Sequence, residues 1–503
     1  MKRVITLLTI VLIGFAGCTD SVLDLENKNQ LSEGNFWSSE SDAHLALMGA
    51  YSGLQSTYVF NSDPWGGGAM RLEYISDNGY TSWHWMPLAS LERSELTSTS
   101  WGNPETFSAL YDIINRSNQI ISKIPEIDMD QAKADRMTGE AQTLRSTAYM
   151  ILAMTYADVP LIKEPVSVAE SNIGASSKSE IMDFVISDLK DAAGKLPVEV
   201  STSEWGRLPR GAALGMAARA ELFAGKFADA AATAKQVMDE GVYSLFPDYG
   251  KLFTVENEMN EEVIFPVTFE RGLGGEGSNF AGFWGNLGLG YQSVAPNLGY
   301  TFYCTDGQSR DVSPLYNPDH PSENRDPRFK ATIVANGDVF KGDTVSTNEF
   351  SLRKYLEEND LNHFDSPQDW YVLRYAHILL IRAEALAQMG QNSNEVISLI
   401  DQIRDRVGMP HVEDVEGSGL SQQELLDVVK HERRVETAFE GLRYFDLKRW
   451  GELGEAYQKF NENDYPLGWG GMRERVWQDR YMKWPLPQGE INTNDNLEQH
   501  PGY

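Results

Sequence analysis

A chain of 503 residues with 41% hydrophobic and 11% aromatic content can bury a large core, which excludes a disordered protein. Its 73 acidic side chains outnumber 43 basic ones, leaving a net charge of −30. A field of that sign repels phosphate backbones and anionic lipid, so no nucleic-acid ligand and no electrostatic docking on a membrane are expected, while neutral ligands remain open.

At the amino terminus Lys2 and Arg3 precede an apolar run over residues 4–15, and Ala16-Gly17-Cys18 leads into polar Thr19-Asp20. So short a run, basic at its start and small at its end, reads as a secretory signal rather than a spanning helix. The cysteine directly after the small pair resembles a bacterial lipobox. Residues 1–17 are therefore expected to be removed and Cys18 acylated, with each buried methylene contributing about 0.8 kcal/mol to a membrane anchor. An ordinary signal followed by a spare cysteine is the alternative. With Cys18 lipidated, Cys304 has no partner for an internal disulfide. Residues 18–38 read as a polar tether, and 39–503 as a single domain.

Helical periodicity starts near Ser41, where Ala43, Leu45, Leu47, Met48, Tyr51 and Leu54 recur at three- and four-residue steps. The spacing predicts further helices over 105–124, 131–156, 178–196, 210–224, 227–240, 371–389, 395–407 and 422–439. Two stretches read as helix, turn, helix: 209–241 with its corner at Gly225, and 370–408 with its corner at Gly390. The small residues Ala230, Ala234, Ala383, Ala385 and Ala387 let neighbouring helices approach, and a corner glycine supplies the left-handed conformation that ends the first helix. The pattern is similar to a degenerate tetratricopeptide array; an unrelated antiparallel helical hairpin is the alternative. The predicted class is mainly α, a helical-repeat scaffold carrying a loop-rich face with short strands. Residues 61–101 and 246–361 supply that face, being rich in Gly, Pro, Asn and aromatics, with strand-like Val263-Ile264-Phe265 and Thr332-Ile333-Val334. Loops of such length on a rigid scaffold usually carry the ligand site.

Catalytic and cofactor signals are weak. Residues 272–277 have the spacing of a dinucleotide fingerprint, yet no helix-forming run follows and Glu276 stands where a pyrophosphate would bind. His431-Glu432-Arg433-Arg434 lacks the second histidine of a zinc-protease motif. No cofactor and no metal are expected. Among the acids Asp77 is the best single candidate for a glycosidase-type carboxylate, though one acid among many specifies little.

Aromatic residues carry the positive signal. Tyr80, Trp83 and Trp85 follow Asp77-Asn78-Gly79, with Trp65 and Trp101 to either side and Trp284, Tyr291, Tyr300 and Tyr303 in the later loop. A sugar ring offers an apolar C–H face to an indole or phenol and a rim of hydroxyls to carboxylates and amides. Asp77, Asn78, Tyr80, Trp83, Trp85, Trp65, Trp284 and Tyr300 are thus the candidate glycan-binding residues, against the alternative that such rings fill the core.

The carboxy-terminal third carries a family resemblance. Trp370-Tyr371-Val372-Leu373-Arg374-Tyr375-Ala376, the run from Leu379 to Leu386, His431-Glu432-Arg433-Arg434-Val435-Glu436, Phe439-Glu440-Gly441-Leu442-Arg443-Tyr444-Phe445-Asp446 and the closing His500-Pro501-Gly502-Tyr503 resemble the signature of SusD/RagB proteins, surface glycan-binding lipoproteins of Bacteroidetes. Asn35-Phe36-Trp37 and Tyr156-Ala157-Asp158-Val159-Pro160-Leu161 agree, as does Glu323-Asn324-Arg325-Asp326-Pro327-Arg328-Phe329. The resemblance implies a tetratricopeptide-like scaffold, an outer-membrane lipid anchor at the cell surface, and a SusC-type TonB-dependent transporter barrel that the protein covers as a hinged lid. It also implies that an oligosaccharide is captured and delivered uncut. Asp20, Asp24 and Glu26 are similar to the family's surface-export signal. Lack of a basic patch favours a neutral glucan or fructan. A surface glycoside hydrolase and a peptide-binding scaffold or lid are the alternatives. Arg433, Arg434, Glu436, Glu440, Arg443 and Asp446 alternate in sign at helical spacing and are expected to form structural ion pairs.

Overall fold

A computed structural model describes residues 37–62, 67–81, 87–279, 292–346, 350–356, 358, 365–462 and 474–503. The long helices are α1 (Glu40–Ser52), α2 (Asn103–Lys123), α3 (Gln131–Thr155), α4 (Lys178–Lys195), α5 (Arg210–Phe223), α6 (Phe227–Asp239), α7 (Tyr375–Gln388), α8 (Ser393–Val407), α9 (Gln422–Glu436), α10 (Arg443–Trp450) and α11 (Leu453–Asn461). Local chemistry sets their ends. Ser177 and Ser421 cap α4 and α9, each accepting from the backbone N–H of the glutamate three residues on, while that glutamate reaches back to the cap. Gly225 and Gly390, with φ of +74° and +63°, turn the corners before α6 and α8.

From α1 to α8 each of these helices packs on the next, and α9 lies against α7, so the scaffold is the expected mainly α, tetratricopeptide-like array. One packing contact needs a glycine. A Cβ at Gly215 of α5 would stand 2.3 Å from a methyl of Leu373, so its absence lets the helix press onto the strand behind it.

The strands are short and antiparallel. β1 (Gly79–Thr81) pairs with β3 (Gln292–Val294), and β2 (Val263–Val267) with β4 (Trp370–Arg374). The other expected strand is Ile333–Val334, paired with Ser351–Leu352. The helix predicted to start at residue 371 starts instead at Tyr375. Residues Trp370–Arg374 are buried throughout and their backbone pairs with β2. A continuous apolar run does not reveal its period, and a pairing partner more than one hundred residues earlier decides it.

The expected ion pairs form beneath α7, α8 and α9. The Arg374 guanidinium, fully buried, lies 2.6 Å from each of Glu262, Glu436 and Glu440. Arg406 shares Glu262 and Glu436, Arg328 bridges Asp326, Glu432 and Glu436, and Lys354 meets Glu440 at 2.6 Å. Arg433 pairs with Asp446. Each charge is matched and hydrogen-bonded, the condition under which buried ions are tolerated, and the cluster ties β2 and β4 to the helices.

Candidate functional site

Three tryptophan-bearing segments are linked in pairs where they leave the described scaffold. In the β1–β3 ladder Thr81 is the partner of Gln292, so the chain enters residues 82–86 beside the point where it leaves 280–291. Gly79 permits this pairing, since a Cβ there would stand 2.8 Å from the Tyr74 ring and 3.2 Å from the Ser293 carbonyl. Asn61, just before residues 63–66, is tied to the other end of residues 280–291. Its Oδ1 accepts from the Asn279 N–H at 2.8 Å and its Nδ2 donates to the Gly277 carbonyl at 3.4 Å. Trp65, Trp83, Trp85, Trp284 and Tyr291 themselves lie outside the described residues.

Beneath this mouth the expected sugar-binding polar groups turn inward, a correction with an electrostatic cause. Asp77 is 5% exposed, and its oxygens accept from Arg443 at 2.8 and 3.0 Å and lie 2.9 Å from Arg434. Burial alone would raise its pKa. The guanidiniums of Arg434 and Arg443 outweigh that and hold the carboxyl well below the ordinary range, so Asp77 is an ionised clamp with no proton to give. Asn78 is equally committed, donating to Glu73 at 2.7 Å and accepting from Arg434 Nε at 3.1 Å. Glu73 in turn accepts from the Gly441 and Leu442 N–H groups, while burial raises its pKa. Tyr80 is 1% exposed and packs with Ala295 and Phe460. Asp77 and Asn78 thus lock the loop base to the α9–α10 junction, and Tyr80 packs it against Phe460 of α11.

Tyr300 is half-buried. The Arg310 guanidinium covers one ring face at 3.4 Å, and Phe350 meets it edge-on at 5.9 Å. Tyr303 stacks on His431 with ring centroids 3.9 Å apart, and burial pushes that imidazole down to about 3, so it stays neutral. Trp101 is half-buried against Tyr58.

Sequence reasoning passed over Glu92. Its Oε2 accepts from the N–H of Thr81, the last residue before the 82–86 segment, at 3.0 Å, and its Oε1 has no hydrogen-bond partner. Burial pushes this carboxyl up to about 8, against an opposing pull from Arg475. No local pattern marks it, because what matters is where the helix carrying it meets β1. Among the described residues no cluster of metal-ligating side chains occurs, and no helix is long and apolar enough to cross a membrane.

Two family models match the chain: "SusD family" over residues 261–503 and "Starch-binding associating with outer membrane" over residues 23–222. The sequence is 28% identical to SusD-like protein P38 of Formosa agariphila, over 99% of this chain and 98% of the relative. A crystal structure of a SusD-like carbohydrate binding protein from Bacteroides fragilis superposes with a TM-score of 0.82 at 26% identity, covering 92% of this chain and all of the other. A laminarin binding SusD-like protein shares the fold at a TM-score of 0.74 and 24% identity, over 93% of this chain and all of the other. With both halves matched, a relative aligned end to end and the helical scaffold superposed, the chain belongs to the SusD family.

Proposed function

We propose that this protein is a non-catalytic, lipid-anchored glycan receptor of the outer-membrane surface. It captures neutral oligosaccharides on the tryptophans of residues 63–66, 82–86 and 280–291 and passes them to a SusC-type TonB-dependent barrel. The observation that carries the reading is that the segment 280–291 is tied to the other two at its ends, to 82–86 through the Thr81–Gln292 pairing and to 63–66 through the Asn61 bonds to Gly277 and Asn279. Stacking on indole rings needs no ligand charge, which suits a chain of net charge −30. Support for the ligand class comes from the carbohydrate-binding and laminarin-binding descriptions of the structural neighbours, and support for the outer membrane from the description of the amino-terminal family model. Acylation of Cys18 supplies the anchor.

A glycan array on the purified mature protein identifies the ligand. Trp83→Ala, Trp85→Ala and Trp284→Ala are then expected to weaken its binding by about 1–3 kcal/mol each, the usual range for a ring anchor, while leaving the melting temperature unchanged. Calorimetry that finds wild-type affinity in all three variants removes this site. Product analysis after long incubation is expected to return the glycan uncut, and co-purification from membranes tests the barrel partner.

A further inference from the structure

Outside the mouth of the tryptophan-bearing segments, a groove of about 770 Å³ runs along α11, lined by Gly451, Gly454, Tyr457, Gln458, Asn461 and Trp477, among others. Trp477 is only half-buried. A Cβ placed on Gly454 would stand 3.0–3.1 Å from Cδ1, Cγ and Nε1 of its indole. Those near-equal distances put one face of the five-membered ring flat against the helix at the glycine, which leaves the opposite face for the groove. Tyr457 meets the indole edge-on, with ring centroids 6.4 Å apart and planes at 78°, and fixes its tilt.

The polar groups around this platform suit an uncharged, hydroxyl-rich ligand. Gln458 and Glu462 follow Gly454 at successive four-residue steps, so they stand in a row on the same helix face, and both are exposed. Among the described lining residues the one cation, Arg475, is directed inward. Its guanidinium donates to the carbonyls of Ser76, Tyr74 and Gly79, the latter two at 2.8 Å, and lies 3.5 Å from the Phe460 ring centroid. Asn461 is held by the backbone of the same arginine, donating at 2.9 Å and accepting at 3.0 Å. The floor is thus rigid, and Arg475, the cation among the described lining residues, is not turned outward to take a phosphate, sulfate or carboxylate. The groove volume lies within the roughly 300–1,000 Å³ typical of small-ligand sites.

We propose that this groove is a second saccharide subsite. One face of Trp477 stacks on a pyranose ring, and the amide of Gln458 and the carboxylate of Glu462 take its hydroxyls. The subsite adjoins the principal mouth, because Arg475 and the Tyr457 hydroxyl both bind the backbone of residues 74–79, immediately before the 82–86 segment. A chain long enough to reach both places is held twice and gains through effective concentration without any change in either site. The inference rests on the glycan-binding reading, and the indole resonances separate the two.

The test uses the full mature chain labelled with ¹⁵N, with the Trp477 indole N–H assigned through Trp477→Phe, titrated with maltose, cellobiose and laminaribiose. The expected result is a saturable shift of the Trp477 resonance with at least one disaccharide, retained in a Trp83→Ala/Trp85→Ala background. Movement of other indoles while Trp477 stays still overturns the second subsite and leaves the principal site standing. Silence of every indole overturns both. Affinity electrophoresis in laminarin gels gives a readout that does not depend on substituting a packed ring. Gln458→Ala/Glu462→Gln, both exposed, is expected to weaken retention at least threefold at an unchanged melting temperature. Retention equal to wild type overturns the proposal.

Discussion

Asp77 shows how a residue placed among aromatics and glycines in the sequence becomes a structural clamp in the fold. Its carboxylate answers Arg434 and Arg443, so Asp77→Asn leaves two guanidiniums short of a counter-charge and is expected to cost roughly 3 kcal/mol in denaturant unfolding. A residue that merely touched sugar would lose affinity at unchanged stability. Because the folded pKa of Asp77 lies below its ordinary value of 3.8, its contribution is complete above that pH and is lost as the pH falls toward the folded value. Glu92 has the opposite sign. Its carboxyl is pushed from an ordinary 4.5 up to about 8, so the folded protein holds a proton that the unfolded chain has released, and stability falls as the pH rises through that window. Glu92→Gln keeps an acceptor for the Thr81 N–H and removes the titration. It is expected to match wild type near pH 5 and to melt higher at pH 9, by an amount on the order of a few kcal/mol, in a melting series across that range.

Among the elements, two glycines with the same helical setting have opposite consequences. A Cβ on Gly215 of α5 would stand 2.3 Å from Leu373 and 2.9 Å from Ile378, so Gly215→Val is expected to lower stability by about 1–3 kcal/mol through overpacking. Gly194, in the last turn of α4, has nothing within 4 Å, and Gly194→Ala is expected to raise stability by about 0.5–1 kcal/mol. Paired melting curves check both signs. The helices α1 to α9 are legible from the sequence within a few residues because period, cap and corner glycine are all local signals, as at Ser177, Ser421, Gly225 and Gly390, whereas α10 and α11 are not among the helices predicted from it. The strand Trp370–Arg374 passes for the start of a helix for the complementary reason, since its partner lies at Val263–Val267 and leaves no mark in the run itself.

For the whole molecule, the helical row is a frame that fixes where three ring-bearing segments begin and end. In the proposed function an acylated Cys18 anchors that frame, and Cys18→Ala is expected to shift the protein from the membrane fraction to the soluble one without altering glycan affinity, as fractionation and calorimetry would report. The frame is stapled by the buried cluster around Arg374, Arg406 and Arg328, whose acidic partners are Glu262 just before β2, Asp326, Glu432 and Glu436 of α9, and Glu440 just after it. Periodicity and charge alone established the helices α1 to α9 and the alternating charges of α9 and α10, since each of these is written in neighbours along the chain. The roles of Asp77, Asn78, Tyr80 and Glu92 emerged only once the chain was folded. Asp77 meets an arginine 366 positions away, and no pattern along a chain records which distant charge will share a buried site, where loss of water makes that pairing decisive.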